Sequence, residues 1–283
     1  MTDSKIGPWK TTIVLGLLLI GMFGMAGFVA QDDKDAEIER LREKVAQLEA
    51  QLAVLSTTSR YTQAELVQEE RLVPDINVMY RSENVEPIFN VLEAESREIF
   101  AGRFKLAELV GPPPGAVVAD IGAGTGFMSH VFAQQVGPSG KVYAVDINPV
   151  MMGRIAENAD EAGLTNIEPI LCTDKTVELP DESVDIAFIC DVYHHFEYPK
   201  NSMTSLWHAL KPGGQVVVVD FHRIEGVSRP FIMGHVRAGE EVFTQEILDA
   251  GFELINDHDV DYLTENYVLR FRKLDGQPEH NEK

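Results

Sequence analysis

Apolar and polar positions recur along this chain with two periods, and the change from one to the other divides it. From residue 85 onward, apolar runs of strand length alternate with amphipathic stretches of helical length. The pattern predicts strands at Val117–Ile121, Lys141–Ile147, Ile167–Cys172, Val184–Asp191 and Gln215–Phe221, with helices starting near Thr125, Pro149 and Pro199. Runs such as VDIAFICD and QVVVVDF are apolar at almost every position, as in parallel strands covered on both faces. One helical run, residues 86–109, precedes them and stops at Gly111 and three prolines. A last helix is expected near Glu241–Ala250. The two strands after it, FELINDHDV and NYVLRFRK, lie too close in sequence for a crossover helix and must run antiparallel to each other. The domain at 85–275 is therefore α/β, a doubly wound parallel sheet closed by an antiparallel hairpin, with a polar tail at 276–283.

The amino-terminal part follows other periods. Thr11–Ala30 is a run of twenty uncharged residues, long enough as a helix to cross a bilayer's hydrocarbon core, after a short flank at 1–10. A cleaved signal peptide competes with a transmembrane anchor. The run is long for a signal, however, and Phe28 fits poorly before a cut after Ala30, so the anchor is preferred. Lysine and arginine on the two flanks leave its orientation open. Within 31–58, Ile38, Leu41, Val45, Leu48, Leu52 and Leu55 form a heptad seam, compatible with a parallel homodimeric coiled coil through 38–55 or with a lone amphipathic helix. Residues 59–84 lose the pattern, are broken by Pro74, and read as a linker with some helix.

Charge narrows the partners. With 24 Lys+Arg against 45 Asp+Glu in 283 residues, the formal net charge is −21, which repels nucleic acid and leaves small neutral or cationic ligands. The two cysteines, Cys172 and Cys190, fall in strands and form no CxxC pair.

Candidate chemistry collects at one strand-to-helix turn, VADIGAGTGFMS. Gly122, Gly124 and Gly126 allow positive φ and remove side chains that would hold a ligand away, while the following helix offers free N–H groups to an anion. Asp120, at the strand's end, suits a cationic group. Contacts for an ammonium and a carboxylate are those of an amino acid. Asp146 ends the next strand, where a carboxylate accepts from both hydroxyls of a ribose. An amino acid joined to a ribose points to S-adenosylmethionine. A dinucleotide fingerprint, G-x-G-x-x-G, would need its third glycine at Phe127, which argues against a dehydrogenase.

VVADIGAGTGF, VYAVDINPVMM, LCTDKTVELPDESVDIAFICDVYHHF and ALKPGGQVVVVDF resemble, in order and spacing, the motifs of class I S-adenosylmethionine-dependent methyltransferases. The resemblance implies a Rossmann-like seven-stranded sheet with an antiparallel last strand. It implies that Gly122, Gly124 and Gly126 flank the methionine moiety, that Asp146 holds the ribose and that Asp174 faces the adenine amino group. Ala123, Ile147 and Asp191 beside them complete the expected cofactor contacts.

Methyl transfer needs in-line approach and exclusion of water more than it needs a catalytic side chain. If the acceptor carries a proton, Tyr193, His194 and His195, just past the fourth strand, are the candidate catalytic groups; a histidine pair here can equally shape the pocket. Asp191, Asp220 and His222 make only a loose metal pattern, and no metal is expected. No NPPY follows the fourth strand and neither cysteine sits where a pyrimidine-attacking nucleophile would, leaving a small-molecule or lipid-like acceptor. Its pocket is expected from the segment after the fifth strand, where Arg223, His235 and Arg237 are available to an anionic acceptor. The expectation is thus a membrane-anchored methyltransferase with its domain in the cytoplasm, where the cofactor is made; export after signal cleavage is the alternative location. A tethered S-adenosylmethionine-binding or scaffold protein without turnover is the alternative function.

Overall fold

The computed structural model describes residues 97–276 without interruption and, before them, 38, 40–42, 59–62, 66–74, 76–82, 84 and 86–94. The chain divides into two compact units, 1–56 and 57–283. The transmembrane run at 11–30 and nearly all of the heptad stretch lie outside the described residues; Ile38 and residues 40–42 are helical. Among the described residues no helix is long and apolar enough to cross a membrane.

In the second unit the described residues form one seven-stranded sheet in the order β3-β2-β1-β4-β5-β7-β6. The strands are β1 (Val117–Ile121), β2 (Lys141–Asp146), β3 (Ile167–Leu171), β4 (Val184–Cys190), β5 (Leu210–Phe221), β6 (Phe252–His258) and β7 (Asn266–Lys273). All pairs from β3 to β5 are parallel, and β7 runs antiparallel to both β5 and β6. The predicted hairpin is therefore present, with β7 inserted between β5 and the edge. Chain order reverses between β1 and β4, and ligands of doubly wound sheets bind at the carboxyl ends of strands beside such a point.

The helices are α1 (Glu86–Leu92), α2 (Glu98–Ala101), α3 (Arg103–Val110), α4 (Phe127–Val136), α5 (Pro149–Glu161), α6 (Pro199–Ala209), α7 (Pro230–His235) and α8 (Glu240–Asp249). Alternation along the strands feeds two apolar layers. Ile189, Val218 and Leu269 pack with Leu206, Phe243 and Ile247 of α6 and α8 on one face. Phe188, Val217 and Val268 pack with Leu106, Phe132 and Val136 of α3 and α4 on the other. Each such side chain contributes about 1.5–3 kcal/mol on burial, which is why the central strands are apolar at most positions.

One expectation is corrected. The single helix at 86–109 is three segments: Arg97 is extended (φ −82°, ψ 123°), and Gly102, between α2 and α3, lies so close to Tyr262 that an added Cβ would stand 2.8 Å from its ring. Tertiary contacts override a sequence that is helical in propensity.

The linker at 59–84 is a strap docked on the domain. Its Leu72 N–H donates to Glu197 O (2.8 Å), and Val67 exchanges backbone hydrogen bonds with the Asn201 side chain (2.8 and 3.1 Å). Glu69 accepts from the free N–H groups of Lys200 and Asn201 (2.8 and 3.1 Å) in the first turn of α6, where a carboxylate also meets the positive end of the helix dipole. Ser59 and the Arg60 N–H reach Glu178 (2.6 and 2.7 Å). The second compact unit, 57–283, includes this stretch.

Candidate active site

At the carboxyl ends of β1, β2 and β4 the chain leaves the sheet in three turns that enclose a cleft. Gly122 has φ +71° and takes the wall against β4: a Cβ there would lie 2.5 Å from both methyl groups of Val192. Gly122 and Ala123 both donate to Val145 O (2.7 and 2.9 Å), which clamps the turn to β2. Gly126, also at positive φ, precedes α4 and is held against Ile155 of α5, where a Cβ would come within 2.9 Å. Gly126 therefore sets helix packing, and it is not among the residues that line the cleft.

Carboxylates ring the opening. Asp146 accepts from Gly124 N–H and Asn148 N–H (both 2.9 Å), one on each oxygen, and the Ile147 N–H also stabilises it, which still leaves acceptor capacity on the carboxylate. Burial pushes its pKa up, partly offset by these backbone donors. Asp120 accepts from Ser129 Oγ (2.6 Å) and, through burial, is pushed up to about 7. Ala123, Ile147 and Asp174 also line the cleft, and Asp174 lies 3.9 Å from the Arg81 guanidinium. Asp191, at φ +54°, is held by Arg97 and by Asn266 (2.5 Å each). Burial raises its pKa and Arg97 opposes that rise. Cys172 and Cys190 line the same cleft with thiols pushed up by burial, which keeps them protonated and poorly nucleophilic.

The three candidate catalytic residues part company. Tyr193 is fully buried, with its ring 5.1 Å from both Phe196 and Phe243, and it packs in the core away from the cleft lining. His194 is 1% exposed, its Nδ1 lies 2.7 Å from Asp220 Oδ1, and it is not among the residues that line the cleft. His195 alone of the three lines the cleft. Its Nδ1 meets Asn77 Oδ1 at 3.1 Å, while Asn77 Nδ2 donates to His195 O and Glu197 Oε1 (both 3.0 Å). Those two acceptors orient the Asn77 amide, so its oxygen receives a proton from His195 Nδ1 and the imidazole keeps a lone pair on Nε2. Burial, together with His194 and His235, lowers the His195 pKa to about 2 and holds the ring neutral.

Other expected contacts are satisfied internally. Arg223 donates to the carbonyls of Val236 and Met233 (2.8 and 3.2 Å), and Arg237 forms a bidentate pair with Glu246 (2.7 and 2.6 Å). Neither guanidinium faces the cleft. Asp191, Asp220 and His222 do not form a metal set: the first is bound by Arg97, the second by His194, and His222 turns to Glu240 (3.6 Å).

Periodicity missed Asn77, Tyr80, Arg97 and Glu197, which line the cleft. Glu197 is 1% exposed; burial raises its pKa, but Arg71 (2.6 Å), Asn77 and Arg81 outweigh that and hold it below the ordinary carboxylate range. The only sequence signal for this network was the charge in QEERL and MYRS, which carries no period.

A reversed β7, a glycine turn at the switch point and an acid at the end of β2 define a class I S-adenosylmethionine-dependent methyltransferase. The cleft fits the cofactor in chemistry: Asp120, Gly122, Gly124 and Asp146 line it together, with the Asp146 carboxylate at the end of β2. The methyltransferase domain family model matches residues 113–270, and the chain belongs to that family. It is 30% identical over 119 residues to the ubiquinone/menaquinone biosynthesis C-methyltransferase UbiE of Hydrogenovibrio crunogenus, spanning 41% of this chain and 46% of that one. Against the protein of the same name from Ectopseudomonas mendocina it is 28% identical over 160 residues, 53% of this chain and 62% of the relative. The chain thus spans about half the length of these curated relatives. Among solved structures it is similar in fold to a SAM dependent methyltransferase from Aquifex aeolicus (TM-score 0.61, 23% identity, 68% of this chain and 100% of that one). A comparable likeness is to the [4+2]-cyclase SpnF (TM-score 0.60, 17% identity, 74% and 99%).

Proposed function

We propose that this protein transfers the S-adenosylmethionine methyl group to a carbon of a small, quinol-like aromatic acceptor, with residues 11–30 anchoring it to a membrane and the domain on the cytoplasmic side. The observation that carries the reading is the cleft at the switch point, where Asp120, the 122–124 turn and Asp146 line one wall and His195 another. In this reading Asp120 and the turn hold the zwitterionic end of the cofactor, Asp146 its ribose and Asp174 its adenine. Apolar groups of Phe127, Val192 and Phe196 cover the rest and exclude water from a sulfonium that is already activated. The carbon acceptor is suggested by the names of the relatives, and an anchor suits an acceptor that partitions into lipid.

The test is transfer of label from S-adenosylmethionine to hydroquinones with and without a prenyl tail, by the full chain. Labelled product that keeps its label through hydriodic acid cleavage of ethers supports carbon methylation, whereas label released as methyl iodide would mean oxygen methylation. Cofactor binding without transfer to any acceptor would leave the tethered binding protein. Fractionation of cells expressing the chain with and without residues 11–30 tests the anchor: equal distribution to the soluble fraction overturns it.

A further inference from the structure

Among the described residues, one group of three potential metal ligands has ring nitrogens that all lie within 4.8 Å of one another: His194, His195 and His235. Their ring centroids are 4.3, 5.1 and 5.0 Å apart. Two come from the turn after β4 and the third from the last residue of α7, so distant parts of the chain are brought to one point.

The protons in this cluster can be assigned from its neighbours. His194 Nδ1 donates to the Asp220 carboxylate (2.7 Å), which leaves Nε2 as its lone-pair nitrogen, and that atom is buried with no partner. His195 Nδ1 donates to Asn77 Oδ1 (3.1 Å), leaving Nε2 as a second lone pair. His235 Nε2 stands 3.3 Å from His195 Nε2. If His235 donates a proton across that gap, His194 Nε2 still has no donor. A buried acceptor without a partner is destabilising unless something binds it.

We infer that His194, His195 and His235 form a binding site for a divalent first-row metal ion of the zinc type. A tetrahedral ion bonded to imidazole nitrogens at about 2.0–2.1 Å keeps them about 3.3 Å apart, which is the separation of the His195 and His235 nitrogens. Histidines that ligate metals donate their second N–H to a carboxylate or carbonyl, which fixes the ring and raises its basicity. Asp220 does this for His194 and Asn77 does it for His195. Three neutral imidazoles favour zinc, iron, nickel or copper over magnesium or calcium, which want oxygen ligands. They also leave the ion's charge uncompensated, so an anionic fourth ligand is favoured. On the reading proposed above, that ligand is the ionised oxygen of the acceptor, and the histidines act through the ion instead of as a base.

The experiment uses the full chain, stripped with a chelator, titrated with Co2+ and then displaced with Zn2+. One cobalt per chain is expected, with the intense visible bands of four-coordinate cobalt, lost stoichiometrically on adding zinc. His235→Ala, on the half-buried ligand, should weaken cobalt binding at least tenfold, and Asn77→Ala should weaken it about tenfold. His222→Ala, outside the cluster, should leave it unchanged. Calorimetry with S-adenosylmethionine on the same samples reports whether each variant is folded. Absence of saturable cobalt binding in a wild-type sample that takes up the cofactor overturns the site and spares the proposed function. So does unaltered binding in both His235→Ala and His195→Gln. Cobalt uptake without cofactor uptake would do the reverse.

Discussion

Asn77 Oδ1 lies 3.1 Å from His195 Nδ1, so a residue of the strap sets the tautomer of the histidine that borders the cleft. The same amide donates to His195 O and Glu197 Oε1 (both 3.0 Å), and Asn77 is only 9% exposed. Three hydrogen bonds thus converge on one side chain from the stretch that lacks any hydrophobic period.

Replacing Asn77 by alanine removes these bonds and strands buried partners. Unfolding should become easier by about 1–3 kcal/mol, and turnover should fall more than cofactor affinity, because Asn77 orients His195 and is not among the groups assigned to the nucleoside. Denaturant melts and steady-state kinetics on the same variant check this. Unaltered stability together with unaltered kcat would show that the strap merely rests on the domain.

Asp120 makes pH matter. Burial raises its pKa to about 7 in the folded protein, whereas an unfolded chain has a value of about 3.9. Between those limits the folded state holds a proton that the unfolded state has released. Its stabilising contribution is full below about pH 4 and is lost as pH rises toward 7, by up to about 1.4 kcal/mol per unit. Asp120→Asn should flatten that slope. An ammonium beside Asp120 favours the ionised form, so cofactor binding near pH 6.5 should release a proton. Calorimetry in buffers of different ionisation enthalpy measures that release, and its persistence in Asp120→Asn would assign it elsewhere.

Asp146 is expected to carry the ribose. Asp146→Ala loses charge-assisted hydrogen bonds worth about 1.5–3 kcal/mol each and also frees Gly124 and Asn148 N–H. Cofactor affinity should drop at least tenfold, readable by calorimetry or thermal shift. Equal affinity in the variant would remove the ribose assignment.

Gly122→Ala combines two penalties: φ is +71°, and the new methyl would meet both Val192 methyls at 2.5 Å. Destabilisation of about 1–3 kcal/mol is expected from the contact alone. Val192→Ala in the same chain should recover part of that loss but not the backbone strain. Full recovery in the double variant would mean that φ contributes little.

Much of the fold was legible because its signals are local. Val184–Cys190 and Lys141–Asp146 are apolar at most positions because both faces of a parallel sheet are covered, and a hairpin follows from the spacing between FELINDHDV and NYVLRFRK. The glycine turn was legible for a similar reason: positive φ at Gly122 and Gly124 is a demand on single residues.

The chain by itself determined the order of strands and helices, the glycine turn at the switch point and the acids at the strand ends, since each depends on spacing within a few residues. Tertiary structure decided the rest. It sorted Tyr193 into the core, His194 against Asp220 and His195 into the cleft, although the three are consecutive, because the 3₁₀ turn at 193–195 points successive side chains in different directions. It also folded the strap over them and brought His235 to His195 from forty residues away. Polar contacts of that range leave no periodic trace, because a single well-placed donor or acceptor needs no repeat to be stable once the backbone has set its distance.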